Sequence, residues 1–185
     1  MNISIIRHAK VNYKWRKWSN SDQYNNDCFL YDNSDIIETV TKKEIPKIRC
    51  YTSTLKRSKA TAERHFGIKE YTETKLLDEV PLSAAFKTKI YLPLYIWNTL
   101  GRIQWLYDSK RQWEGRRETY KRADQLVSMI LKKNEDCILV THGFFMHALI
   151  KVMKKRGFKI SDQALHYKNC GVINAYIPDN VSRET

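Results

Sequence analysis

Two short apolar runs, residues 3–6 and 137–140, each stop abruptly at polar residues that include a histidine. Runs this short, aliphatic and without alternation read as strands buried on both faces of a parallel sheet. Between them lie stretches of helical period, so the chain is expected to adopt an α/β fold with a mostly parallel central sheet. In open sheets of this kind the ligand crevice lies beyond the carboxyl ends of the strands. The residues just after each run therefore carry the functional expectation.

The other elements are placed around these two. Residues 45–51 read as a second strand, 68–74 as a third and 172–177 as the last. Residues 55–66 read as a helix stopped by Gly67, and 114–133 as an amphipathic helix with Ala123, Val127 and Ile130 on one face. A helix opens directly after His142-Gly143. Ser34-Asp35 reads as the cap of a helix reaching about residue 43, and the Ser-, Asn- and Asp-rich residues 19–33 read as surface loop. Residues 90–113 read as helical material outside the sheet, its aromatics mainly core, with a helical cap over the crevice expected within about 85–115. A chain of 185 residues suits one domain, 1–185.

A formal net charge of +13 favours anionic ligands. A sequence pI of 9.6 admits nucleic acid as a second class of partner, though lysine-rich surfaces are more often simply solvated. No apolar run approaches membrane-spanning length and no signal peptide is evident, so a cytoplasmic protein with no membrane partner is expected. Cys28, Cys50, Cys137 and Cys170 form no CxxC pair, and no metal site or cofactor is expected. All four are expected to be reduced, Cys50 and Cys137 as small buried hydrophobes.

The strand ends supply Arg7-His8, Arg57 and His142, and a further loop supplies Asp78-Glu79. Two guanidinium groups match the forked geometry of a phosphate. A neutral imidazole can be a nucleophile, and a carboxylic acid can protonate a leaving oxygen. Residues 10–18 (KVNYKWRKW) alternate cations with aromatics at the crevice and could grip a phosphorylated ligand. A Ser or Thr cap ahead of Arg57 would leave backbone N–H groups facing an anion.

In this order and spacing the motifs resemble the histidine phosphatase superfamily, which includes phosphoglycerate mutases and acid phosphatases. The family's opening Arg-His-Gly is here Arg7-His8-Ala9. Its Ser-x-Leu-x-Arg-Ala-x-x-Thr-Ala is matched from Ser53 to Ala62, with Ser58 in place of Ala. Leu77-Asp78-Glu79 fits Leu-x-Glu, and Val140-Thr141-His142-Gly143 is close to Val-Ser-His-Gly. The resemblance implies a three-layer sandwich with helices on both faces of the sheet. It implies His8 as the phosphorylated nucleophile, Arg7, Arg57 and His142 as phosphate ligands, His142 also as a catalytic residue, and Glu79 as the proton donor. Asp78 is one residue off the motif position. Lys14 falls where the family places a phosphate-contacting Asn, and the segment after Ala9 departs from the usual pattern. His65, His147 and His166 match no motif and are read as structural or surface residues. The activity implied is metal-independent hydrolysis of a small anionic phosphomonoester. A mutase, or a non-catalytic phosphate- or nucleic-acid-binding relative, is the alternative.

Overall fold

The computed structural model describes residues 1–37, 48–161 and 167–178. In chain order the elements are β1 (Asn2–Arg7), β2 (Trp18–Ser19), α1 (Ser21–Asn33), β3 (Arg49–Thr52) and α2 (Lys56–Ala60), which continues as a π-turn over Thr61–His65. Then come β4 (Thr72–Glu73), a 3₁₀ turn at Lys75–Leu77, β5 (Leu92–Pro93), α3 (Leu94–Leu106) and α4 (Arg116–Lys133). β6 (Cys137–Thr141), α5 (Gly143–Lys155), β7 (Lys159–Ile160) and β8 (Val172–Tyr176) complete the set.

Six strands form the central sheet in the order β4-β3-β6-β1-β8-β7. β4, β3, β6 and β1 are mutually parallel, whereas β8 and β7 pair antiparallel. Alternation along β1 sends Ile3 and Ile5 to one face and Ile6 to the other. Ile3 and Ile5 join Leu139 beneath α4 and α5, against Leu126, Ile130 and Leu149. Ile6, Ile138 and Val140 meet Ala62 and Phe66 from the α2 side. Helices therefore cover both faces, which is why β6 is buried along its whole length and lacks a polar period. Each such aliphatic side chain contributes ~1.5–3 kcal/mol by leaving water.

Local sequence sets the helix ends. Glu118 accepts from the Gly115 N–H at the start of α4, and Asn134 closes that helix in the left-handed region at φ 48°. Gly67 ends the α2 π-turn with φ +67°, a conformation that L side chains rarely adopt.

Several expectations are corrected. Residues 21–33 are a helix, not loop: Asn20 and Gln23 form a reciprocal capping box at its start. Its Tyr24 ring stacks on buried Trp97 of α3. Ser34 and Asp35 do not begin a helix; Ile36 instead makes an isolated bridge to Val11, and the remainder of that expected helix lies outside the described residues. The second strand begins at Arg49, with residues 45–47 outside the described residues, and the third shrinks to Thr72–Glu73. Among the aromatics of 90–113 Trp97 is buried, but Tyr91, Tyr95, Tyr107 and Trp113 are exposed.

Among the described residues no helix is long and apolar enough to cross a membrane. Cys50 and Cys137 are buried, and Cys28 is half-buried.

Candidate active site

Parallel pairing of β1 with β6 sets Arg7 opposite Thr141, so the residues that follow each strand emerge side by side. The His8 and His142 rings lie 5.0 Å apart, centroid to centroid. A cavity of about 950 Å³ opens beyond these strand ends, and Arg7, His8, Arg57 and Glu79 line it.

His8 is 2% exposed. Its Nδ1 lies 2.7 Å from the carbonyl oxygen of Ala9. A carbonyl can only accept, so Nδ1 carries the proton and Nε2 keeps its lone pair. Burial first, then the Arg57 charge, pushes the imidazole down to about 3. His8 is thus neutral at pH 7, with one nitrogen free to act as a base or nucleophile.

Thr61, from the expected Thr-Ala of the second motif, joins this loop to the helix that carries Arg57. Its hydroxyl donates to the Arg57 carbonyl and accepts from the Ala9 N–H. Asn169 donates to the His8 carbonyl. Arg7 donates through Nη1 to the Tyr167 carbonyl, while its buried Nε has no hydrogen-bond partner. A Cβ at Gly143 would lie 2.9 Å from the Arg7 guanidinium carbon. Glycine is needed there because the guanidinium lies against the first turn of α5.

His142 is fully buried and does not line the cavity. Arg57 Nε donates to its Nδ1 at 3.1 Å, which leaves the proton on Nε2, 2.7 Å from Ser53 Oγ and 3.2 Å from Ser58 Oγ. Ser53 Oγ donates in turn to Asp78 at 2.7 Å. A directed chain thus runs from Arg57 through His142 and Ser53 to Asp78. In this structure both ring nitrogens of His142 have protein partners, and the residue meets the cavity lining through Arg57. Burial, then the Arg57 charge, holds its imidazole well below the usual histidine range.

Asp78 and Glu79 divide their tasks. Asp78 also accepts from the Thr54 N–H and hydroxyl, and Ser53 Oγ accepts from the Leu55 N–H, so these loop donors are satisfied within the protein rather than left for an anion. Glu79 accepts from the Phe144 and Phe145 N–H groups at the start of α5 and from the Val80 N–H. Arg122 of α4 clamps the loop that carries Glu79. It donates to the carbonyls of Lys75, Leu76 and Asp78 and pairs with Glu114 through three hydrogen bonds.

Lys14 is exposed and is not among the residues that line the cavity. Trp15 from the same segment does line it, beside Tyr31 of α1. The sequence reading missed Tyr24, Tyr31 and Asp32 of α1, although Tyr24, Asp27 and Tyr31 keep helical spacing. It missed Arg102, the sole charged residue of α3, which lies over the Phe144 ring. It also left His147 aside; one turn beyond Gly143, His147 lines the cavity and stacks on Tyr167. His65 is buried against Phe66, and His166 lies outside the described residues. Cys28 lines the cavity too, but burial pushes its thiol up to about 12, so it stays protonated. Among the described residues no three His, Cys, Asp or Glu side chains are grouped to hold a metal ion.

The two neutral histidines give a signed pH dependence. The unfolded chain takes up protons near pH 6.5 that the native site refuses, so their contribution is full above that value and lost as pH falls toward about 3. The melting temperature is expected to decline steadily below about pH 6.5. Calorimetric scans across about pH 4–8 check this; a flat profile would contradict it.

The model of the histidine phosphatase superfamily, branch 1, matches residues 34–181. The matched span begins after Arg7-His8. Solved structures with a similar fold include a phosphoserine phosphatase variant from Entamoeba histolytica in complex with phosphoserine. It is 16% identical, with a TM-score of 0.53, over 94% of this chain and 89% of that one. A mycobacterial glucosyl-3-phosphoglycerate phosphatase is 17% identical, with a TM-score of 0.55, over 83% and 79% of the respective chains. No curated protein matches the chain significantly.

Proposed function

The chain belongs to the histidine phosphatase superfamily, and from that premise we propose that it hydrolyses a small phosphomonoester through a phosphohistidine on His8. One observation carries the reading. His8 is neutral, with Nδ1 tied to the Ala9 carbonyl and Nε2 unprotonated, and it lines the cavity with two guanidinium groups.

Arg7 and Arg57 take the equatorial phosphoryl oxygens, and the unpartnered Nε of Arg7 is a buried donor that such an anion would satisfy. His8 Nε2 attacks phosphorus, the bond to the alcohol oxygen breaks, and that oxygen takes a proton from Glu79. The Glu79 carboxylate then removes a proton from water as the water attacks the phosphohistidine. Phosphate leaves, and His8 and Glu79 return to their starting forms. His142 acts by holding Arg57, with Ser53 and Asp78 behind it. No step needs a metal. Small phosphorylated metabolites are the substrate class, as the phosphoserine bound to the Entamoeba relative also suggests.

The test is release of nitrophenol from p-nitrophenyl phosphate in excess chelator. Steady turnover is expected. Absence of turnover, or turnover that chelator stops and a divalent metal restores, would overturn the proposal.

A further inference from the structure

Beside Arg57, whose guanidinium lies 5.0 Å from the centre of the Tyr31 ring, the cavity has a wall of different character. α1 contributes Tyr24, Tyr31 and Asp32, and the loop after β1 contributes Trp15. The Trp15 ring lies 5.2 Å from Tyr31 and 6.3 Å from Tyr24, centroid to centroid. Asp32 holds Arg57 Nη1 at 2.8 Å; the Arg57 side chain is 1% exposed and that of Asp32 is 41% exposed. Asp32 has no other partner among the described residues. The other carboxylates lining the cavity are engaged elsewhere: Glu79 by α5, Glu114 by Arg122, and Asp78 by Ser53 and Thr54.

This pair poses a problem for any phosphate. Arg57 is buried and balanced by Asp32 in the empty site. A phosphate dianion that takes Arg57 arrives beside a carboxylate, and like charges at that range repel. A substrate that brings its own cation removes the conflict. Its phosphate replaces Asp32 on Arg57 while its cation replaces Arg57 on Asp32. Aromatic faces around a carboxylate are also the surroundings that receive an ammonium group.

We infer that the alcohol half of the substrate carries an ammonium group, received by Asp32, Trp15, Tyr24 and Tyr31. This narrows the proposed phosphatase substrate to phosphate esters of short amino alcohols and rests on that reading. Arg57 and Asp32 touch, so a two-carbon spacer between the charged groups suits the exchange.

The test compares O-phosphoethanolamine with propyl phosphate, a chain of similar length without the charge. Binding to the His8→Ala protein is measured by calorimetry at about pH 8, where both phosphates are dianions. The amino ester is expected to bind ~10-fold tighter or more, ~1.4 kcal/mol. Asp32→Asn in the same background should bring the two within ~2-fold, largely by strengthening propyl phosphate, because Arg57 is released. Trp15→Leu should shrink the preference by ~3-fold and provides a second variant should Asp32→Asn fail to fold. Equal affinities before substitution, or an Asp32→Asn change that weakens both esters alike, would overturn the inference. The binding arm does not depend on catalysis. Selective binding without wild-type hydrolysis of either ester would sink the phosphatase reading, and with it the amino ester as substrate. Hydrolysis of both esters with equal binding would sink only the ammonium site.

Discussion

Replacing His8 with alanine is expected to abolish turnover, by ~10⁴-fold or more, and with it the phosphate attached to the protein. Wild-type protein quenched in base during turnover of a ³²P-labelled ester should carry label that acid releases, as a phosphoramidate does. The His8→Ala protein should carry none. A stability effect alone does not explain such a result. His8 is buried, but its one side-chain hydrogen bond goes to the adjacent Ala9 carbonyl, and the Arg7 and Arg57 contacts do not pass through it. Calorimetric binding of inorganic phosphate to the variant gives the control, since the guanidinium groups remain. Label that persists in His8→Ala would move the nucleophile elsewhere, with His147 the next imidazole on the cavity wall.

Glu79→Gln should divide substrates by leaving group. An alkoxide leaves poorly without a proton, so alkyl phosphates should slow by ~10²–10⁴-fold, the range of a general acid. p-Nitrophenyl phosphate should lose far less, because nitrophenolate leaves unaided. Glutamine keeps the shape and an oxygen able to accept from the Phe145 N–H, so the loop at the start of α5 stays in place. To act as acid, Glu79 must hand a proton to the leaving oxygen as the ester bond breaks. Equal losses on both ester types would remove Glu79 from the role. Asp78 is a weak successor, since its oxygens are occupied by Ser53 and Thr54.

The residues proposed to meet the phosphate stand out in the sequence where they punctuate buried strands, as Arg7, His8 and His142 do. In β1 and β6 the apolar runs stop where the chain leaves the sheet, and the polar residues that follow can only lie at its edge. The cavity wall that α1 supplies was not legible, for a physical reason. α1 carries weak helix formers such as Asn, Asp and Ser, and its apolar side chains gather into no clear stripe, so it stands out poorly as a helix. Its stability comes from elsewhere in the chain: Tyr24 stacks on Trp97 and its hydroxyl donates to Asn98, both in α3. The Asn20–Gln23 capping box and the spacing of Tyr24, Asp27 and Tyr31 were its local signs. Arg102 and Arg122 were invisible for a related reason. A cation on a helix reads as solvated until the opposing element is known, and here the partners are the Phe144 ring and the carbonyls of the Glu79 loop.

Placing the two histidines by strand register also shapes how this gene can change length. Ile6 pairs with Val140 and Arg7 with Thr141, so deletion of one codon within β6 would turn every later side chain of that strand to the opposite face. His142 would lose Arg57 and Ser53 together. The outer connections carry no such bookkeeping, and codons can enter or leave the turn between α3 and α4 without moving either ring. Length variation should therefore gather in such outer connections, while the spacing from strand to histidine stays fixed. A chain built this way can acquire new substrates by insertion and keep its chemistry unchanged.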